Sequence, residues 1–118
     1  MDLTYYIAPG LGVVGLVAAY FIFRYIENQP AGEGKVAVIA DKIHEGAMVF
    51  MRRELKLLSI FAVVIGVALW FKDPNEMVAF FFGAACSSVA GFIGMYTATK
   101  ANVRTTIAAR DRGQPAAL

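Results

Sequence analysis

The sequence predicts an all-α integral membrane protein with three transmembrane helices. Three observations carry that prediction. First, 58% of the 118 residues are hydrophobic and the mean hydropathy is +0.59, too apolar for a small soluble domain. Second, the apolar residues gather into three charge-free runs, Tyr5–Phe23, Leu57–Phe71 and Met77–Thr99. Third, the basic residues flank those runs unevenly, as membrane topology requires.

A bilayer core about 30 Å thick takes about 20 helical residues, so the first and third runs span it outright. The middle run falls short at roughly 22 Å. Lys56 and Lys72 can snorkel at its ends, and its helix can continue outward on the stretch before it. A cleaved signal peptide is a poor alternative for the first run. Asp2 precedes it in place of positive charge, and no small-x-small cleavage site lies before Arg24. The chain is therefore divided into a first helix over about 4–26, a loop over 27–35, a long second helix over about 36–72, a third over about 76–103, and a tail over 104–118.

The loop reading rests on "ENQPAGEG", where Pro30, Gly32 and Gly34 interrupt any helix. From Lys35 the helical period returns. Val36, Ile39, Ile43, Ala47 and Phe50 share one stripe, and Lys42, Glu45, Arg52 and Lys56 share another. Only Gly46 interrupts the path to Leu57, so this projection joins the second span. Asp73-Pro74-Asn75 then supplies a tight turn, which makes helices two and three an antiparallel hairpin. Trp70 and Phe71 suit the interfacial belt beside it.

Six of the eleven basic residues lie between the first two runs, four follow the third, and only Lys72 lies in "KDPNE". The bias predicts the N-terminus outside, the first loop inside, "KDPNE" outside and the C-terminal segment in the cytoplasm. The short N-terminus without a transit peptide points to a prokaryotic plasma membrane. No feature suggests a nucleic-acid partner.

On the third helix, Gly83, Ser87 and Gly91 recur on one line, and Ala90, Gly94 and Ala98 on its neighbour. Close backbone approach through small residues supplies much of helix association in lipid. Such a helix is made to be packed against by more neighbours than two.

Two segments, "EGAMVFMRRELK" and "GAACSSVAGFIGMYTATKANVRTTIAAR", together resemble the N-terminal part of the membrane-bound, ion-translocating inorganic pyrophosphatases. The first matches at Glu45, Gly46, Ala47 and Phe50. The second matches at Gly83, Ala84, Ser87, Ala90, Gly91, Gly94 and Met95, then at Ala101, Asn102, Arg104 and Thr105. The likeness runs from about Val36 to Leu118. It implies a pump that hydrolyses cytosolic pyrophosphate with Mg2+, and in some members K+, to drive protons or sodium ions across the membrane. It also implies a homodimer of many-helix subunits, in which an inner ring holds the site and an outer ring supports it. Metal-bound carboxylates would neutralise the developing charge while an aspartate pair orients the attacking water.

The chain departs from that family in what it lacks. It has nine acidic residues and no aspartate cluster. No catalytic, cofactor-binding or metal-binding residue can be carried over, so the 118 residues alone are expected to be inactive. They read as an N-terminal fragment, outer-ring helices one to three, whose partners are membrane lipids and the remaining helices of the pump. The alternative is a self-contained three-helix accessory or interaction subunit without catalysis.

Individual polar residues support the plainer readings. Asp41 and Glu45 lie one helical turn apart but beside Lys42, as on a solvated face. His44 has no Cys or second His at ligand spacing. In "ANVRTT", Arg104 and the threonines could bind an oxyanion, but Lys100 and Arg104 just past a cytoplasmic helix end are expected to meet anionic head groups. A further role is docking to cytoplasmic loops. Arg52 and Arg53 are placed to meet phosphates or carboxylates where the second helix enters the membrane, and Cys86 reads as packing.

Overall fold

The computed structural model describes residues 2–118. Three long helices account for most of them: α1 (Thr4–Glu27), α2 (Lys35–Lys72) and α3 (Pro74–Arg112), followed by a single turn, α4 (Gln114–Ala117). Each long helix is long and apolar enough to cross a membrane, with peak mean hydropathy of 1.9, 2.0 and 1.8 in chain order.

The helices lie side by side in one layer. The molecule measures 58 × 40 × 17 Å, and a helix with its side chains is about 10–12 Å across. Its radius of gyration is 19.3 Å, against about 13 Å for a compact globule of this length. A layer so thin encloses almost nothing. Among the described residues, the buried apolar side chains are Met51, Ile107 and Ala108, while Phe71, Leu16 and Phe82 stand open. In water that surface would be untenable; in lipid it needs no cover.

The α2–α3 hairpin is the frame. Asp73 adopts an extended backbone and its carboxylate accepts from the Asn75 N–H at 2.8 Å, capping α3, while Pro74 fills the first helical position. The Asp73 N–H closes α2 on the Leu69 carbonyl at 2.8 Å, and Lys72 reaches Glu76 across the turn at 2.7 Å. Below the turn the two helices close where side chains are small. The Phe81 ring occupies the space over the buried Gly66, where a Cβ would overlap it. Further down, Met51 lies against Gly91. Opposed residues thus run in reverse order along α2 and α3.

α1 meets α3 and not α2, so α3 lies between them. The linker after α1 must therefore cross α3, and it does so on glycine. Gly32 (φ +78) sits against Ile107, and Gly34 (φ +71) starts α2 in a backbone conformation that side chains disfavour. Gln29 accepts from the Arg112 guanidinium at 2.8 Å on the far side of the crossing.

Two boundaries differ from the sequence reading. The third helix starts at Pro74 and continues to Arg112, so the segment from 104 to 112 is helix where a tail was expected. The reason is physical. No glycine or proline intervenes between Gly94 and Gly113, and Gly32 of the linker lies against the buried Ile107. Gly113, at φ +84, ends the helix with its N–H on the Ala109 carbonyl.

Candidate functional site: the polar end of the helical layer

One group of polar residues converges where α1 ends, α2 begins and α3 leaves its charge-free run. His44 of α2 and Thr99 of α3 meet there, with Nδ1 2.7 Å from the hydroxyl. The Thr99 hydroxyl directs its proton to the Tyr96 carbonyl at 2.9 Å, which assigns the hydrogen of the shared bond to His44 Nδ1. The imidazole also stands edge-on to the Tyr96 ring at 5.4 Å. One side chain of α2 is thereby fixed to two of α3.

Arg104 lies one turn beyond Lys100 and folds back to donate Nη1 to the Lys100 carbonyl at 2.7 Å. Its Nε is shut off from solvent without a hydrogen-bond partner. The Lys100 ammonium stands 5.7 Å over the Tyr96 ring. A cavity of about 120 Å³ between α2, α3 and the linker is walled by Asp41, His44, Thr99, Lys100 and Arg104. A second, of about 70 Å³, lies between α1 and α3 against Phe23, Glu27, Tyr96, Lys100 and Arg104.

The residues singled out in the sequence are divided by this geometry. Arg104 and Lys100 come together with His44 and Asp41, whereas Glu45, Arg52 and Arg53 are exposed on α2 away from them. Thr106 bonds the Asn102 carbonyl of its own helix at 3.0 Å, and Thr105 is exposed. Cys86 is a free, exposed thiol on α3. The His44–Thr99 tether went unread in the sequence, although Thr99 lies about as far past Asp73 as His44 lies before it. Counting back from the turn of an antiparallel hairpin would have paired them.

Chemically the site is cationic and orienting. No three His, Cys, Asp or Glu side chains gather to hold a metal ion among the described residues. Past this end, Arg110 and Asp111 form an exposed pair at 2.8 Å. The hydrogen bond from Arg110 lowers the Asp111 carboxyl below its ordinary value, with the guanidinium charge adding to the effect.

Three lipid-length helices in one open layer, with a basic polar end, define an integral membrane protein that leaves most of its helical surface uncovered. The comparisons say which kind. Residues 13–118 match the family described as inorganic H+ pyrophosphatase, and the chain belongs to that family. It is 42% identical over 100 residues to a putative K(+)-stimulated pyrophosphate-energized sodium pump of Clostridium tetani, covering 84% of this chain and 15% of that protein. It is 34% identical over 107 residues to a K(+)-insensitive pyrophosphate-energized proton pump of Moorella thermoacetica, covering 89% and 16%. It is 37% identical over 109 residues to a K(+)-stimulated pyrophosphate-energized sodium pump of Thermotoga maritima, covering 89% and 15%. The chain thus spans about one sixth of the length of these relatives. No solved structure matches it.

Proposed function

We propose that the chain supplies three supporting helices of a pyrophosphate-energised pump that couples pyrophosphate hydrolysis to proton or sodium movement. The uncovered small-residue face of α3 carries this reading. Gly83 and Gly94 have no neighbour within 4 Å of where a Cβ would stand. Small residues that let backbones approach closely serve a purpose only when another helix arrives. The pumps that this chain resembles are about six times its length, and their further helices are the occupants we assign to that face.

In this reading the chain positions and does not catalyse. Asp41 and Glu45 are exposed beside Lys42 on a solvated face, and we assign the magnesium of the reaction, and the potassium of K(+)-stimulated members, to residues elsewhere in the longer pump. The contribution of these residues is a fixed hairpin, held by the Asp73 cap and the His44–Thr99 bond, against which moving helices can work. Its N-terminus and the Asp73 turn lie outside, and its polar end lies in the cytoplasm of a prokaryotic plasma membrane, from the charge bias. The complete pump is a homodimer.

A chimera tests the proposal. Residues 13–118 replace the matching region of the Thermotoga maritima pump, and pyrophosphate hydrolysis and sodium uptake are measured in vesicles. Both activities should persist, while the reconstituted 118-residue chain alone should release no phosphate. A chimera that inserts but cannot hydrolyse pyrophosphate, or hydrolysis by the chain alone, contradicts the reading.

A further inference from the structure

The wedge between α1 and α3 changes character along its length. On the apolar side of the boundary set by Arg24 and Lys100 it is a groove of about 490 Å³, with Leu16 and Tyr20 of α1 facing Phe92 and Ile93 of α3. Beyond that boundary the same helices enclose the 70 Å³ cavity walled by Glu27, Lys100 and Arg104. Phe23 and Tyr96 line both spaces, so the apolar groove leads directly into the polar one. The order, apolar within the span and cationic at its edge, is that of a phospholipid.

The polar cavity has unspent capacity for an anion. Arg104 is half-buried at its wall and pairs with no carboxylate among the described residues, and the Lys100 ammonium rests on a ring and likewise pairs with none. Glu27, the one acid in the wall, pairs with Arg24 at 3.9 Å. Arg24, Lys100 and Arg104, set against Glu27 and the Asp41 of the adjoining cavity, leave one positive charge at this corner. A helix cannot be the occupant to this depth. It is about 10 Å across, and the polar cavity of about 70 Å³ between α1 and α3 is too small to admit one. An acyl chain and a phosphate fit both parts.

The geometry points to a bound anionic glycerophospholipid, its phosphate at Lys100 and Arg104 and one acyl chain along the groove. The site depends on the helices lying in lipid and not on the pump reading. Its occupant fills the wedge that keeps α1 apart from α3 within the span, so the lipid belongs to the packing of the first helix.

Native mass spectrometry of the purified full chain in detergent, with equal phosphatidylglycerol and phosphatidylcholine, tests it. One phosphatidylglycerol per chain is expected, at about tenfold excess over phosphatidylcholine. Lys100→Gln and Arg104→Gln should each lower that excess about fivefold, the scale of one basic side chain meeting an anionic lipid. Lys42→Gln, exposed on α2 outside the wedge, should leave it unchanged. Ala19→Phe fills the groove with apolar surface, which lipid tolerates, and should lower retention of both lipids with helicity intact. Equal retention of the two lipids overturns the proposal. So does an excess that Lys42→Gln lowers as much as Arg104→Gln, or retention that survives Ala19→Phe, or displacement of the lipid by inorganic phosphate.

Discussion

His44 and Thr99 lie 55 residues apart in sequence and share a 2.7 Å hydrogen bond that sets the register of α2 on α3 at their polar end. The bond acts with the Gly66–Phe81 contact near the other end of the hairpin, so the two helices are fixed at two levels. One hydrogen bond of this kind contributes about 1 kcal/mol net, and more is lost if its partner is left buried and unpaired. A double-mutant cycle of His44→Ala and Thr99→Val, read by thermal unfolding in detergent, should give a coupling of about 0.5–1.5 kcal/mol. Additive effects would mean that the contact carries no register energy.

Gly66 leaves no room for a side chain. A Cβ there would overlap Phe81, whose ring lies directly over it. Gly66→Ala should therefore destabilise by about 1–3 kcal/mol despite improving helix propensity. Phe81→Leu in the same chain should recover much of the loss. Gly83→Ala has open space around it and should be neutral or slightly stabilising in the isolated chain. In an assembled pump the same substitution should be damaging, because another helix then occupies that space.

The two glycines of the linker separate steric from conformational cost. Gly34 has φ +71 with ψ −134 and nothing within 4 Å of its Cβ position, so Gly34→Ala carries the positive-φ backbone cost alone, about 1–3 kcal/mol. At Gly32, φ is +78 and a Cβ would stand 2.7 Å from Ile107 Cδ1. Gly32→Ala should cost more than Gly34→Ala, and Ile107→Ala should reduce only the difference. Equal melting temperatures for the two glycine variants would show that the linker does not rest on α3.

Asp111 should titrate below the ordinary carboxylate range, because Arg110 donates to it and its charge favours the ionised form. A depressed carboxyl contributes stability that is present above its unfolded value and is lost as pH falls through its folded value. Loss of this contact therefore belongs to acid pH, at and below the ordinary carboxylate range, not to neutral pH. Arg110→Gln should return the Asp111 carbon signal to an ordinary midpoint in an NMR titration. The pair is fully exposed, so added salt should weaken the shift.

Much of the architecture was legible because lipid simplifies the code. Tyr5–Phe23 and Met77–Thr99 read as spans from the absence of charge alone, and the family was legible in Glu45–Phe50 taken with Gly83–Thr105. The extent of α3 was not, because polarity was read as an ending. "KANVRTTIAARDR" is polar but holds no breaker, and the linker crossing that covers Ile107 is a tertiary fact. The polar end was only partly legible for a similar reason. Arg104 and Lys100 stood out as cations, but their meeting with His44 and Glu27 depends on α3 lying between α1 and α2, which no local pattern encodes.

The central claim is that these three helices cross a bilayer with the polar end on one side and the Asp73 turn on the other. In a Cys86→Ala background, Asn75→Cys and Gln114→Cys variants in sealed membranes can be labelled with an impermeant thiol reagent from each side. The account predicts labelling of Asn75→Cys only from outside and of Gln114→Cys only from the cytoplasm. Labelling of both positions from the same side would contradict it.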